Sequence, residues 1–552
     1  MFFLYYNITF ISIFIVLYGY GFASLKMLNF KNPTDIFSVI LSGYLLVGVI
    51  TVFFHFFFKI HNQFSIAIIF FGLLLFIINF KKEIRKELIL FIFLILFLGP
   101  LLFGYSDHAI DANMYHHPYI SYLKSEKIIF SVANIQFRFG HVSFLQYVQA
   151  ALTNDFIHKI SLSTINIIFY LSFILFISKK IILKKKFDFI FLVNILIVSF
   201  LLIKYSRFRE YGNDLIPLLI SFYFLIKILS ELFRSSNHSK IIINLMLPFF
   251  AIMFVHKISY VFATFIFLVL FNFKNLNFLK NIRLSYFLIF LIIFIPWLIK
   301  NYITTTCFAY PVEITCFSND YFGLFAQATP SSAADLSDRW VKSFITHPNW
   351  QNLNMEEYTA GFNWVPTWLN SHGLKILEII SPLFIVIFLM TSGIFFYRQK
   401  YVPLKVKQRK NHIFYLLLLL FLGLFIWFYK APIYRYGAFY IISFIIVTYI
   451  IILDNFFNIK NIANLKFFKS LFIISLIFFI CKNSIRMNKS ITPFFPKTSE
   501  TILKSKFEIL KFNDLKIFKS NGVCFYTEGI CSSELPNNLK IKKLFGYYVF
   551  EH

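Results

Sequence analysis

Long apolar runs alternate with short polar links along most of this chain. Runs long enough to cross a bilayer, roughly 17–25 residues each, begin near Phe2, Ile36, Phe64, Leu88, Ile160, Phe187 and Leu215. Later ones begin near Leu284, Ile376, Ile413, Tyr436 and Phe467. The stretch 241–271 is too long for one simple helix and is interrupted by His256-Lys257, so two short helices meeting at one face are expected there. The pattern predicts about fourteen spans. The fold class it implies is an all-α polytopic membrane protein.

Composition supports this reading. The chain is 59% hydrophobic and 21% aromatic, with a mean hydropathy of +0.72, whereas a soluble domain is about 45–50% apolar. The formal charge of +28 raises nucleic acid as a partner. The lysines and arginines, however, sit in short runs between apolar segments, at 81–86, 179–186, 274–283 and 398–410. That is the distribution of a positive-inside membrane protein, so no nucleic acid is expected and the lipid bilayer is the partner. The first run has neither a basic start nor an A-x-A-like end, and it reads as a retained helix rather than a signal peptide.

Basic links on one side leave the others outside. Segments 104–152, 204–214, 300–375, 430–435 and 482–552 fall on the outer face, as does the break at His256-Lys257. Both termini are expected outside. Segment 300–375, with Trp340, Trp350, Trp364, Trp368 and several prolines, is too long for a simple connection and is expected to fold as an outer loop over the protein. Cys307 and Cys316 share that loop, and Cys524 and Cys531 share the tail. Two close pairs on the external side fit two small disulfide loops; four reduced thiols are the alternative. Cys481, at a span end, reads as an apolar residue.

Candidate chemistry gathers in 104–152. Asp107, His108, Asp111, His116 and His117 follow directly on an apolar run, where ionisable groups are costly unless they face water. Asp107 and Asp111 are four apart and would share a face of a helical turn. Two such carboxylates suit a general base with a helper, or simply solvate a helix end. Tyr115 lies between them and the histidines. An amphipathic stretch, 119–123, is expected along the membrane interface, and Gln136, Arg138 and His141 precede an apolar helix over 142–152. Lys257 and Arg435 stand at outer helix ends, where cations bind phosphate or snorkel to headgroups. Glu210 and Asp214 read as solvating a helix start, or as joining the acidic cluster. The histidine spacing fits no tight zinc pattern. No metal or cofactor is therefore expected, with a divalent ion at Asp107 and Asp111 the remaining option.

The order of a span, an acidic outer loop, an interfacial helix and a return helix resembles the GT-C superfamily of membrane glycosyltransferases. Asp111-Ala112-Asn113-Met114-Tyr115 is similar to the superfamily's Asp-then-aromatic motif, in which the Asp is catalytic. The runs 111–116 and 134–140, the segment 431–437 and the Cys524-to-Cys531 segment resemble an uncharacterised branch of bacterial membrane proteins. The resemblance implies a GT-C-like helical bundle with outer loops and a small external tail. Its parts are N-terminal helices 1–86, a core 87–299, an outer loop 300–375, further helices 376–481 and a tail 482–552. The first three spans have no counterpart in the common core.

By the same resemblance the activity is inverting glycosyl transfer on the outer face of a bacterial inner membrane. The donor is a polyprenyl-phosphate-linked sugar and the acceptor a cell-envelope glycan, lipid or protein. Asp111, Asp107 and His116 are then the catalytic candidates. Tyr115, His117, Arg138, Lys257 and Arg435 are the candidates for substrate binding. Two rivals differ in kind: a polymerase or ligase of O-antigen type, with its chemistry in 300–375, and a transporter or flippase, which would need ionisable groups within its spans.

Overall fold

The computed structural model describes residues 2–28, 35–80, 85–102, 111–154, 161–204, 213–233, 239–271, 283–317, 329–397, 409–456, 465–489 and 507–551, the last without 525, 526, 528, 534 and 538. The helices run in chain order as α1 (Phe2–Met27), α2 (Ile36–His55), α3 (Asn62–Asn79) and α4 (Arg85–Leu102), then α5 (His117–Ser125), α6 (Phe144–Leu152), α7 (Ser161–Ile182), α8 (Phe189–Lys204) and α9 (Leu215–Phe233). The short α10 (Ser239–Asn244) leads to α11 (Met246–His256), a 3-10 segment (Ile258–Leu270) and α12 (Leu284–Thr305). The loop that was expected outside holds α13 (Thr329–Val341), α14 (Met355–Thr359) and α15 (Val365–Trp368). Helices α16 (Leu374–Tyr397), α17 (Arg409–Lys430), α18 (Tyr434–Phe456) and α19 (Leu465–Lys489) complete the bundle.

Among the described residues nine helices are long and apolar enough to cross a membrane, and four shorter apolar helices accompany them. These stand where about fourteen spans were expected. The protein is a multi-pass membrane protein. Helices dominate because lipid offers no partner to the backbone, so each spanning segment must close its own hydrogen bonds. The interruption expected at Lys257 is present, joining α11 to the 3-10 segment.

One of two expected elements in this region has different surroundings. The stretch 119–123 is covered by protein rather than open to the membrane interface. It belongs to α5, whose residues 118–123 are all buried, because α6 and the C-terminal tail cover it. The helix expected over 142–152 is present as α6, nine residues long and all buried. Both form a protein-covered layer at one end of the bundle.

The N-terminal helices are built into the core. A Cβ on Gly21 would stand 1.8 Å from the Val39 carbonyl oxygen, and one on Gly43 1.8 Å from that of Leu17. Only glycine lets α1 and α2 approach this closely. Helix α2 then packs on α6, α7 and α12, and Tyr44 Oη lies 2.8 Å from His256 Nε2. The first three spans thus share their packing with the elements that carry the candidate chemistry.

The links expected inside meet each other at one end: Lys179 pairs with Glu87, and Asp35 takes Tyr223 Oη and Lys227 Nζ at 3.1 and 3.4 Å. The links expected outside meet at the other. Beyond α19 the tail is β-structure, with β1 (Phe507–Phe512), β2 (Leu515–Ser520) and β3 (Ile530–Ser532) in one sheet and β4 (Lys540–Leu544) with β5 (Tyr547–Glu551) in another. It is tied to residues 130–135: Phe130 N donates to Tyr548 O and Phe550 N to Phe130 O, Asn134 Nδ2 donates to Phe550 O and Ser532 Oγ to Ile135 O. Disulfides Cys307–Cys316 and Cys524–Cys531 are both formed, and Cys481 is exposed.

Candidate functional site

Four charged side chains from distant parts of the chain form one linked cluster at the end of the bundle that carries the outer links. Asp111 directly precedes a π-helical turn, Ala112–His116, a feature frequent at functional sites. Asp214 stands at the start of α9, and Lys257 occupies the break after α11 in extended backbone. Arg435 is the second residue of α18. Arg435 Nη2 is 3.4 Å from Asp111 Oδ2, and its Nε is 3.4 Å from Asp214 Oδ2. Lys257 Nζ donates to Asp214 Oδ1 at 2.6 Å and lies 3.6 Å from the centre of the Tyr436 ring.

The two carboxylates differ in reach. The Asp111 side chain is 44% exposed and that of Asp214 only 12%. Asp214 spends both oxygens on cations. Burial raises the pKa of its carboxyl, but Lys257 and Arg435 outweigh it and leave a net lowering, so Asp214 is an anion that holds two cations in place. Asp111 meets Arg435 and leaves the rest of its carboxylate open to solvent. Asp214 is therefore part of the cluster, not merely a solvated helix start. The sequence had left both readings of Asp214 open.

Beneath the cluster lies a neutral network. Ser143 N and Oγ both donate to Gln146 Oε1, at 2.9 and 3.0 Å, forming a capping box at the start of α6. That fixes which way the amide points, so Gln146 Nε2 faces His116 Nδ1 and Asn213 Oδ1. His116 Nδ1 must then accept, which leaves the ring proton on Nε2 and the imidazole neutral. Burial first, then nearby Lys257, lowers its pKa to about 3, against the pull of Asp214. His116 is 3% exposed. It closes the π-helical turn that follows Asp111 and is joined through Gln146 to Asn213, the neighbour of Asp214.

The other expected residues divide. Tyr115 packs on His116 with ring centroids 4.1 Å apart and feels the charges of Asp111 and Arg435. His117 begins α5, one residue farther from the cluster. Arg138 stacks on Phe137 at 4.3 Å, in the turn Phe137–His141 that rests on Tyr310. His141 in that turn has its pKa lowered to about 4 by burial, then by Lys257 and Arg138. Asp107, His108 and Glu210 lie outside the described residues. Among the described residues no group of three or more His, Cys, Asp or Glu side chains is arranged to hold a metal ion.

The long loop between α12 and α16 reaches the cluster through Trp340. Trp340, 50% exposed, has the Arg435 guanidinium 5.3 Å from its ring centre. Trp364 and Trp368 are buried with Phe344 and Tyr358. Trp368 Nε1 donates to Pro432 O at 2.6 Å and Trp427 Nε1 to Ile433 O at 2.8 Å. These bonds hold the turn that delivers Arg435. From the other side Tyr260 Oη donates to the Arg435 carbonyl at 2.8 Å.

Residues 3–442 match the family model described as "Domain of unknown function (DUF8201)". The chain belongs to this family. The match takes in Asp111, Asp214, Lys257 and Arg435 and stops short of the tail, so the Cys524–Cys531 segment lies outside it. No curated protein and no solved structure matches the chain.

Proposed function

We propose that this protein is an inverting glycosyltransferase that moves a sugar from a polyprenyl-phosphate carrier to a cell-envelope acceptor, with its site on the outer face of the bacterial inner membrane. The observation that carries the reading is the division of labour around Arg435, which touches an exposed carboxylate, Asp111, and a buried one, Asp214. Asp111 takes the proton of the acceptor hydroxyl as its oxygen attacks the anomeric carbon. The bond from that carbon to the phosphate oxygen breaks on the opposite face, and its electron pair leaves with the phosphate. Attack and departure on opposite faces invert the centre. Lys257 and Arg435 stabilise the charge that grows on the leaving phosphate.

Charge counting favours a carrier with one phosphate. Two cations less the Asp214 anion leave a single positive charge beside Asp111, suited to a phosphodiester monoanion rather than to a diphosphate. A cluster at the end of a membrane bundle also suits a donor whose tail stays in lipid. The polymerase or ligase reading keeps one point in its favour, because the outer loop supplies Trp340 to the cluster.

The test is release of polyprenyl phosphate from synthetic polyprenyl-phosphate hexoses and pentoses by the protein reconstituted with membranes of its host as acceptor source. Release should fall by about 10²–10⁴-fold in Asp111→Asn. Full turnover by that variant would overturn the reading. If Trp340→Ala abolished turnover while Asp111→Asn kept it, the loop-centred polymerase would take its place. Solute uptake that persists without Asp111 would favour a transporter.

A further inference from the structure

The β4–β5 hairpin turns through two residues, Phe545 and Gly546, since Leu544 pairs with Tyr547. Both have positive φ, 50° and 80°, the geometry of the tight turns whose twist matches a hairpin. The first position of such a turn favours Asn, Asp or Gly. The neighbouring hairpin obeys this rule: Phe512 pairs with Leu515, and Asn513, φ 51°, takes the first position. In β4–β5 the same place holds a phenylalanine, 78% exposed. A bulky ring in left-handed backbone is disfavoured, and leaving it in water adds to the cost. Folding of the hairpin does not account for it.

Its surroundings do. Tyr547 Oη donates to Phe56 O at 3.1 Å, and Phe56 opens the turn between α2 and α3. Both helices are long and apolar enough to cross the membrane, so the turn between them lies at the membrane–water boundary. Phe57 and Phe58 in that turn are 52% and 58% exposed, and Lys59 is exposed beside them. Lys127 Nζ sits 3.9 Å from the centre of the Tyr547 ring, and Lys543 is exposed on the strand leading to the tip. Aromatic rings with lysines at this level are what a bilayer interface selects, with the lysine stems lying on apolar surface and their charges in water.

We propose that the β4–β5 hairpin is a membrane-surface anchor. Phe545 enters the headgroup–acyl boundary of the leaflet on the side of the charged cluster, level with Phe57 and Phe58, and Lys59, Lys127 and Lys543 meet the lipid phosphates. The partner is the bilayer itself. Because Phe130 exchanges backbone hydrogen bonds with β5 and Asn134 holds the Phe550 carbonyl, the anchor also tethers residues 130–134, which lead into the turn bearing Arg138 and His141.

The test labels Phe545→Cys, in a Cys481→Ser background without reductant, with an environment-sensitive nitrobenzoxadiazole probe. The protein is reconstituted in phosphatidylcholine–phosphatidylglycerol vesicles. Emission should be quenched at least twofold more by lipids spin-labelled near the headgroup than by aqueous iodide. Stronger quenching by iodide overturns the proposal. The unaltered chain gives a second readout, through diazirine-bearing lipids and peptide mapping. Adducts are expected on the peptide holding Phe545 as well as on that holding Phe57 and Phe58, with the former lost in Phe545→Asp. Adducts on the Phe57–Phe58 peptide alone would sink the idea.

Discussion

Lys257 donates to Asp214 at 2.6 Å, and this bond joins the break after α11 to the start of α9, bringing a second cation to the carboxylate that also meets Arg435. Without the carboxylate two largely buried cations would face each other. Asp214→Asn should therefore destabilise the fold by about 3 kcal/mol, read as a lower thermal midpoint in detergent. Asp111→Asn, at the exposed end of the same chain of charges, should change stability by no more than about 0.5 kcal/mol and leave the midpoint near the parent's. Equal midpoints for the two variants would refute the difference in role.

Arg435 reaches Asp111 through Nη2 and Asp214 through Nε. Lysine has a single nitrogen and cannot span both. Arg435→Lys should fold normally, with a thermal midpoint close to the parent's, and lose about 10²-fold in transfer rate. The loss should fall mainly on kcat. An unchanged kcat with a raised KM would mean that Arg435 only binds.

His116 makes stability depend on pH. Its folded pKa of about 3 lies below the usual 6.5, so on acidification the unfolded chain takes up the proton first. Stability from this group is complete above about 6.5 and is lost as the pH falls toward 3. Asn at 116 still offers an oxygen to Gln146 Nε2 but does not titrate. His116→Asn should flatten the fall in thermal midpoint between pH 6.5 and 4; an identical slope would show that His116 is not held neutral.

Tyr310 lies in the small loop closed by Cys307–Cys316 and is buried against the turn that carries His141. With the cysteines nine positions apart in sequence, opening the bond should cost the loop about 2–3 kcal/mol. Replacing both cysteines by serine should speed hydrogen exchange at 306–317 and at 137–141 together. Faster exchange confined to 306–317 would mean that the turn stands by itself.

Much of the site was legible before any folding. Asp111, Lys257 and Arg435 each interrupt an apolar pattern near the end of an apolar run, where an ionisable residue needs a reason to be. Asp214 carried the same signal but lacked a neighbouring motif, so its grip on both cations went unread. Gln146 and Asn213 gave no signal, because a buried amide is polar only in composition and its value lies in the geometry of its partners. The amphipathic look of α5 was real, yet the polar face meets protein rather than lipid headgroups.

Run length, hydropathy and the order of charges are local properties. They were enough to point to a multi-pass helical bundle, to sort the links into two opposite ends, and to put each pair of cysteines within one segment. They could not say which links touch. Asp111 and Arg435 lie 324 residues apart, Asp214 and Lys257 43. Whether such groups meet depends on how close-packed helices cross, on glycines such as Gly21 and Gly43 that let two backbones approach, and on a tail that folds back over an earlier loop. Those contacts arise only when distant surfaces are buried together, and so only the folded molecule could turn four scattered charges into one cluster.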